Sequence, residues 1–512
     1  MIAITLVCSA LAGCAAVPAQ PVPTAPPAAL VPTAALDIQP TPTRSPPTAA
    51  PSPTTAPSPT TAPTSEPPSP TSAPQPAAYL VYSKPDGSLR RTDGPGKPPI
   101  ALADPSEPGA VPPWAASPDG KTIAFVTGVG MWNRVSDARP ELALWLVGAD
   151  GSNPRKIQDL LPPQGVEIIP GGDAAFNLLP ALTGLQELAW SPDGAMVAFV
   201  SHHENQIDLY TATPEGVVTR LTNTPALEQG PRWSPDGGKI AYHTTTGFGT
   251  GAGWGDVGLA VTARAGGEPL FVMSDRKLKS GIEAGAIPEM IWIGPDTLVA
   301  GLWDVRVGNN EVRALTVSSG ATAVIFAQPY SALSWNEATG QLAIAGPSQS
   351  TIEFEKDREL TPGLYIWAPG AATTTQITGD PVEALAWSAQ GGALAYSVEQ
   401  GGKRPGLSLW SLGTEGDVKH VADEPAHQLL WSPDGRRFIA EATVYSRDGQ
   451  KLAALTGDNI LPIGWGPQGL FYYTLAADGQ THELWLWDGE QSQKLDSELD
   501  RTERAAVVFT RP

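Results

Sequence analysis

Trp190-Ser191-Pro192-Asp193-Gly194 decides the fold, because the same five residues return at Trp233 to Gly237 and at Trp431 to Gly435. A fourth copy spans Trp114 to Gly120, with two alanines inserted after the Trp. Weaker versions open at Trp292, Trp335, Trp387 and Trp465, so eight tryptophans begin eight similar segments. The phrase is a turn: Pro sets φ at the second position, Asp bonds back to nearby backbone, and Gly accepts a left-handed exit. A short apolar stretch ends in each Trp, and a β-rich run such as Lys239 to Tyr242 follows the turn. Next comes a third strand, as in Asp208 to Tyr210 or Leu484 to Trp487, and then a turn and a fourth, as in Arg220 to Thr222. The prediction is a chain of repeats with four antiparallel strands in each.

Several of these strands are apolar at consecutive positions, which calls for sheets covered on both faces. Successive opening tryptophans lie 76, 43, 59, 43, 52, 44 and 34 residues apart. Values near 43 match a four-stranded propeller blade, and the excess is loop. On these motifs the chain resembles the WD-repeat-like, TolB-type β-propellers, over essentially everything from residue 78 to 512. Tyr79 to Ala103 reads as strands two to four of a further repeat, and Ala505 to Phe509 is placed to supply its missing first strand. Such closure leaves no open seam. With the 34-residue spacing read as a degenerate repeat, the expectation is an all-β propeller of eight blades, with nine as the alternative.

Residues 1–13 are an apolar run, and Leu11-Ala12-Gly13-Cys14 resembles the lipobox of a bacterial lipoprotein. The resemblance implies a cleaved signal peptide, a diacylglycerol thioether on Cys14 and a membrane-anchored, extracytoplasmic location at the cell surface or in the periplasm. Residues 14–77 read as a disordered Pro, Thr, Ala and Ser linker that cannot bury a core. Extended as polyproline II, it would reach about 190 Å. Loss of Cys8 with the signal leaves no internal disulfide. A formal net charge of −20 argues against nucleic-acid binding, since a phosphate backbone would be repelled.

Propellers also cap prolyl oligopeptidase-type enzymes, but the repeats leave no room for a hydrolase domain, and no Gly-x-Ser-x-Gly elbow occurs. His-Glu-x-x-His, EF-hand and P-loop patterns are equally absent. No catalytic residue, cofactor or metal is assigned. Asp119, Asp193, Asp236 and Asp434 belong to the turns. The insertions Gly128 to Pro140, Leu161 to Gln186, Thr244 to Val257, Ser274 to Pro288 and Gly346 to Pro362 all fall on connections that open at one end of a propeller. Long loops on a rigid scaffold are where binding concentrates.

Of 16 tryptophans, eight open repeats, and Trp145, Trp367, Trp410, Trp485 and Trp487 sit in third strands as core. Trp132, Trp254 and Trp303 lie in or beside the long loops, suited to stacking on sugar or anchoring a protein. His202, His203 and Glu204 share that rim with His243 and Asp256, a set whose chemistry would also suit a metal or acid–base cluster. His420, His427 and His482 read as surface positions. The function expected is a tethered lipoprotein whose propeller binds a protein or carbohydrate partner through its long-loop face. Two alternatives follow from resemblance: a metal-dependent polysaccharide lyase or hydrolase, as in oligogalacturonate lyase-like propellers, and a TolB-like envelope assembly factor.

Overall fold

In a computed structural model, residues 77–104, 113–127, 142–163, 187–204, 206–245, 257–274, 285–304, 308–412, 418–499 and 505–510 are described. They form nine four-stranded antiparallel sheets, each ordered one-two-three-four along the chain except the first. From the N-terminus, the first blade joins Ala78–Ser83, Leu89–Thr92 and Ile100–Ala103 to the C-terminal Ala506–Phe509. The second to fifth open with Trp114–Ala116, Ala189–Trp190, Leu227–Trp233 and Gly285–Trp292. The sixth to ninth open with Ala332–Asn336, Val382–Trp387, Leu429–Trp431 and Asp458–Gly466.

The eight-blade expectation is therefore corrected to nine. The short spacing between Trp431 and Trp465 holds a complete blade whose strands are only three or four residues long. Its second and third strands are joined by Glu441 and Ala442 alone, with Glu441 in the left-handed region at φ 51° as a two-residue hairpin requires. Closure follows the expected route: Ala78 pairs with Phe509 and Val81 with Ala506, antiparallel.

Burial is greatest in the second and third strands and least in the fourth. Val197–Ser201 and Asp208–Ala212, the second and third strands of blade three, are buried at every position, whereas the fourth strands Arg155–Asp159 and Val418–Ala422 are exposed or half-buried. Continuous apolar runs thus mark strands with a neighbouring blade on each face.

The repeated phrase does two jobs. In the turn, Ser191 Oγ donates to Asp193 Oδ1 (2.6 Å) and accepts from Met196 N (3.0 Å), while Gly194 N reaches Ser191 O (2.8 Å). Ser117, Ser234 and Ser432 repeat the arrangement. Partial burial raises the Asp193 carboxyl, but Ser191 and Arg264 outweigh it and hold it down at about 2. The Trp fastens one blade to the previous one. Its indole N–H donates to a first-strand carbonyl there: Trp190 to Ala115, Trp233 to Ala189, Trp292 to Arg232, Trp387 to Ser334, Trp431 to Ala386 and Trp465 to Leu430, at 2.9–3.2 Å. All six are buried. A buried indole N–H needs such a partner. Trp367, Trp410 and Trp487 are core as expected, and Trp114, Trp145, Trp335 and Trp485 are half-buried.

Candidate functional site

The connections between strands two and three, and between blades, share one end of the fold, and the polar groups of blades three and four converge there. Asp208 begins the third strand of blade three and is fully buried. Arg220, which ends the fourth strand, pairs with it, and also reaches Glu204 (2.6 Å), Gln206 (2.9 Å) and Asn223 (2.9 Å). Glu228, on the first strand of blade four, is fully buried as well. Its Oε2 accepts from Leu209 N (3.0 Å) and from the Thr222 hydroxyl, and its Oε1 accepts from the Thr224 hydroxyl (3.1 Å). Thr224 N in turn donates to Asp208 Oδ1 (3.2 Å).

Burial pushes the Glu228 carboxyl up to about 7; the Asp208 charge adds to this, and the Thr222 and Thr224 hydroxyls and Leu209 N–H oppose it. Asp208 is also raised, by burial first, against the pull of Arg220. Every oxygen of the Glu228 carboxyl has a donor, so the arrangement locks the chain where it passes from one blade to the next.

His243, expected on the long-loop rim, stands opposite Gln229 inside the strand Lys239–Thr245. Next to Gln229, Gly230 has φ 62° at a bulge, and a Cβ there would lie 2.7 Å from Glu187 Oε2 and 3.1 Å from His243 Nδ1. Only glycine meets both demands. Side chains from blades three and four thus converge on its Cα, with Glu187 also 3.4 Å from Arg232.

Of the remaining sequence candidates, His202 is buried, His203 is half-buried, and Glu204 is exposed and paired with Arg220. Trp303 lies in the strand Thr297–Asp304. Trp132, Trp254, Asp256 and Cys14 lie outside the described residues. Among the described residues, no three His, Cys, Asp or Glu side chains are placed to hold a metal. His482 is buried, contrary to its surface reading, edge-on to Tyr473 at 6.3 Å, because it opens a third strand between Leu475 and Leu499.

One long connection is described in full. Between strands two and three of blade six, the helix Gln349–Phe354 starts at Ser348, whose hydroxyl accepts from Thr351 N. Gln349 N donates to Glu399 Oε2 (3.1 Å), tying the helix to blade seven. At its end Phe354 is 71 % exposed. Sequence reading located this loop but missed Phe354, along with Glu187, Asp208, Arg220 and Glu228. The only signal for the acids is a carboxylate inside or beside an otherwise apolar strand.

No protein-family model and no curated protein matches this sequence. Solved structures similar to it include one described as a eukaryotic initiation factor, at 12% identity and TM-score 0.53 over 85% of this chain and 98% of that one. A β-propeller domain of the Trilobed protease from Pyrococcus furiosus aligns at 13% identity and TM-score 0.37 over 76% of this chain and 99% of that one. A putative TolB from Agrobacterium tumefaciens aligns at 20% identity and TM-score 0.27 over 50% of this chain and 83% of that one. At 12% identity the likeness to the first is one of fold alone, and the sheets themselves make the chain a β-propeller of four-stranded antiparallel blades, nine in number among its described residues.

Proposed function

We propose that this protein is an extracytoplasmic lipoprotein, anchored through Cys14, whose propeller binds a protein or glycan partner at the end carrying the long connections. The observation that carries the reading is Phe354, 71 % exposed on a helix fastened to two blades. A large apolar side chain held in water on a rigid support is what an interface anchor looks like before its partner arrives. The locked junction of blades three and four adds rigidity at the same end, which lowers the ordering cost of binding.

In-cell photo-crosslinking tests it, with a photoreactive residue at position 354 and a control at position 238, in a tight turn at the opposite end. A defined protein or glycan adduct from 354 alone supports the reading. Equal adducts from both positions, or none from 354, overturn it.

A further inference from the structure

The opposite end, made of the tight turns, carries a cleft of about 540 Å³ between blades eight and nine. Pro433 and Asp434 of the repeated turn, Arg437, Trp465 and Phe509 line it. Its origin is visible by comparison with blades four and five. There Lys239, six residues after its opening Trp, reaches across to the next blade's turn, donating to Pro295 O (2.8 Å) and pairing with Asp296 (3.3 Å). Arg437 stands at the same place, six residues after Trp431. Its counterpart to Pro295-Asp296, however, is Pro467-Gln468, so the facing carboxylate is missing. Gln468 turns to blade one instead, with Nε2 3.4 Å from both Ala78 O and Asp93 O. Among the described residues no carboxylate lies within ion-pair distance of the Arg437 guanidinium, which acts on the Asp434 carboxyl only at longer range, and it lies 6.0 Å from the centre of the Trp487 ring.

From this geometry we infer that the cleft binds a short peptide by its C-terminal carboxylate, with Arg437 as the anchor. A guanidinium backed by an aromatic ring presents a planar fork to a carboxylate. The rest of the lining favours a peptide end over a polyanion. Asp434 Oδ1 is taken by the Ser432 hydroxyl (2.6 Å) and Arg436 N (3.0 Å), and Asp488 Oδ1 by Glu490 N (2.9 Å) and Gln491 N (2.9 Å). The second oxygen of each remains an acceptor for peptide N–H groups, and Trp465, Phe509 and Pro433 supply apolar wall. The volume falls among those of small-ligand sites, roughly 300 to 1,000 Å³.

Isothermal titration of the full chain with a mixture of apolar tripeptides, as free acids and as C-terminal amides, tests this. The free acids are expected to bind and the amides to bind at least about tenfold more weakly, the loss of one charge-assisted pair. Arg437→Ala should abolish binding, and Arg436→Ala, at the exposed neighbour, should leave it intact. Gln468→Asp, which supplies the missing carboxylate, should weaken binding by competing for Arg437. That variant decides the matter if Arg437→Ala fails to fold. Equal binding of acids and amides, binding of glucuronate but no peptide, no heat with either form at millimolar concentration, or unaltered binding by Arg437→Ala or Gln468→Asp would each overturn the inference.

Discussion

The junction of blades three and four and the junction of blades eight and nine share one device and differ in everything around it. Both have the buried indole clasp, Trp233 to Ala189 O and Trp465 to Leu430 O. Around the first, Asp208, Arg220 and Glu228 seal the long-connection end, and Arg264 bonds Asp193 (2.6 Å) across the tight-turn end. Around the second, Arg437 faces an open cleft. The repeat therefore supplies cohesion at every seam, and a few non-repeated side chains decide whether a seam is closed or left available.

The largest test of that division removes the clasp from each junction. Trp233→Ala deletes a buried indole and orphans its acceptor, and should cost about 3 to 5 kcal/mol. Trp465→Ala should cost as much if cohesion is a property of the repeat. Urea unfolding measures both. A loss below about 1 kcal/mol at Trp465, beside a full loss at Trp233, would mean that the open junction is held by something else.

A smaller effect separates the junctions by pH. The Glu228 carboxyl lies at 4.5 in an ordinary setting and is pushed up to about 7 by burial in the folded protein. Between those values this carboxyl binds more protons in the folded state than in the unfolded chain, so its contribution to stability is greatest below pH 4.5 and declines as pH rises to 7. Asp208, raised by burial, contributes with the same sign, as does Glu289, which burial raises to about 7 while Tyr330 opposes it. Glu228→Gln keeps the shape without the charge. It should change stability at pH 5 by no more than about 1 kcal/mol and recover about 1 to 3 kcal/mol of the decline by pH 7. Thermal melts across pH 5 to 7 follow this, and an undiminished decline in the variant would show that Glu228 does not titrate there.

What the sequence discloses about these seams depends on whether the cause is local. The turn and its Trp are legible because Ser, Pro, Asp and Gly act within five residues, and the indole clasp repeats with them. The count of nine is harder: the first blade's innermost strand lies at the far end of the chain from its other three, and the compact eighth blade resembles a truncated one until its two-residue hairpin is seen. Glu228 is not legible: Thr222 and Thr224 lie within six residues of it in the connection between the blades, but its bond to Leu209 N and its full burial come from the strands of blade three packed against it. His482 fails as a surface assignment for a similar reason, since its burial comes from strands on both sides. The Arg437 cleft is half legible: aligning Pro467-Gln468 with Pro295-Asp296 exposes the lost carboxylate, and only the structure shows where Gln468 goes instead.

The smallest expected effect bears most directly on how a seam becomes open. Gln468→Asp restores the residue type that Asp296 provides for Lys239, a pair whose side chains are 22% and 32% exposed. Partly hydrated pairs of this kind contribute about 1 kcal/mol or less. The substitution also gives up two long bonds from Gln468 to blade one, at 3.4 Å each. The net change in stability should therefore lie within about 1 kcal/mol of zero, too small to interpret alone. A double-mutant cycle with Arg437→Ala removes that ambiguity, because losses that do not involve Arg437 cancel. A favourable coupling of about 0.5 kcal/mol would establish that positions 437 and 468 face one another across the seam as Lys239 and Asp296 do. Zero coupling would mean that the two junctions are not equivalent, and that the cleft has a cause other than the missing carboxylate.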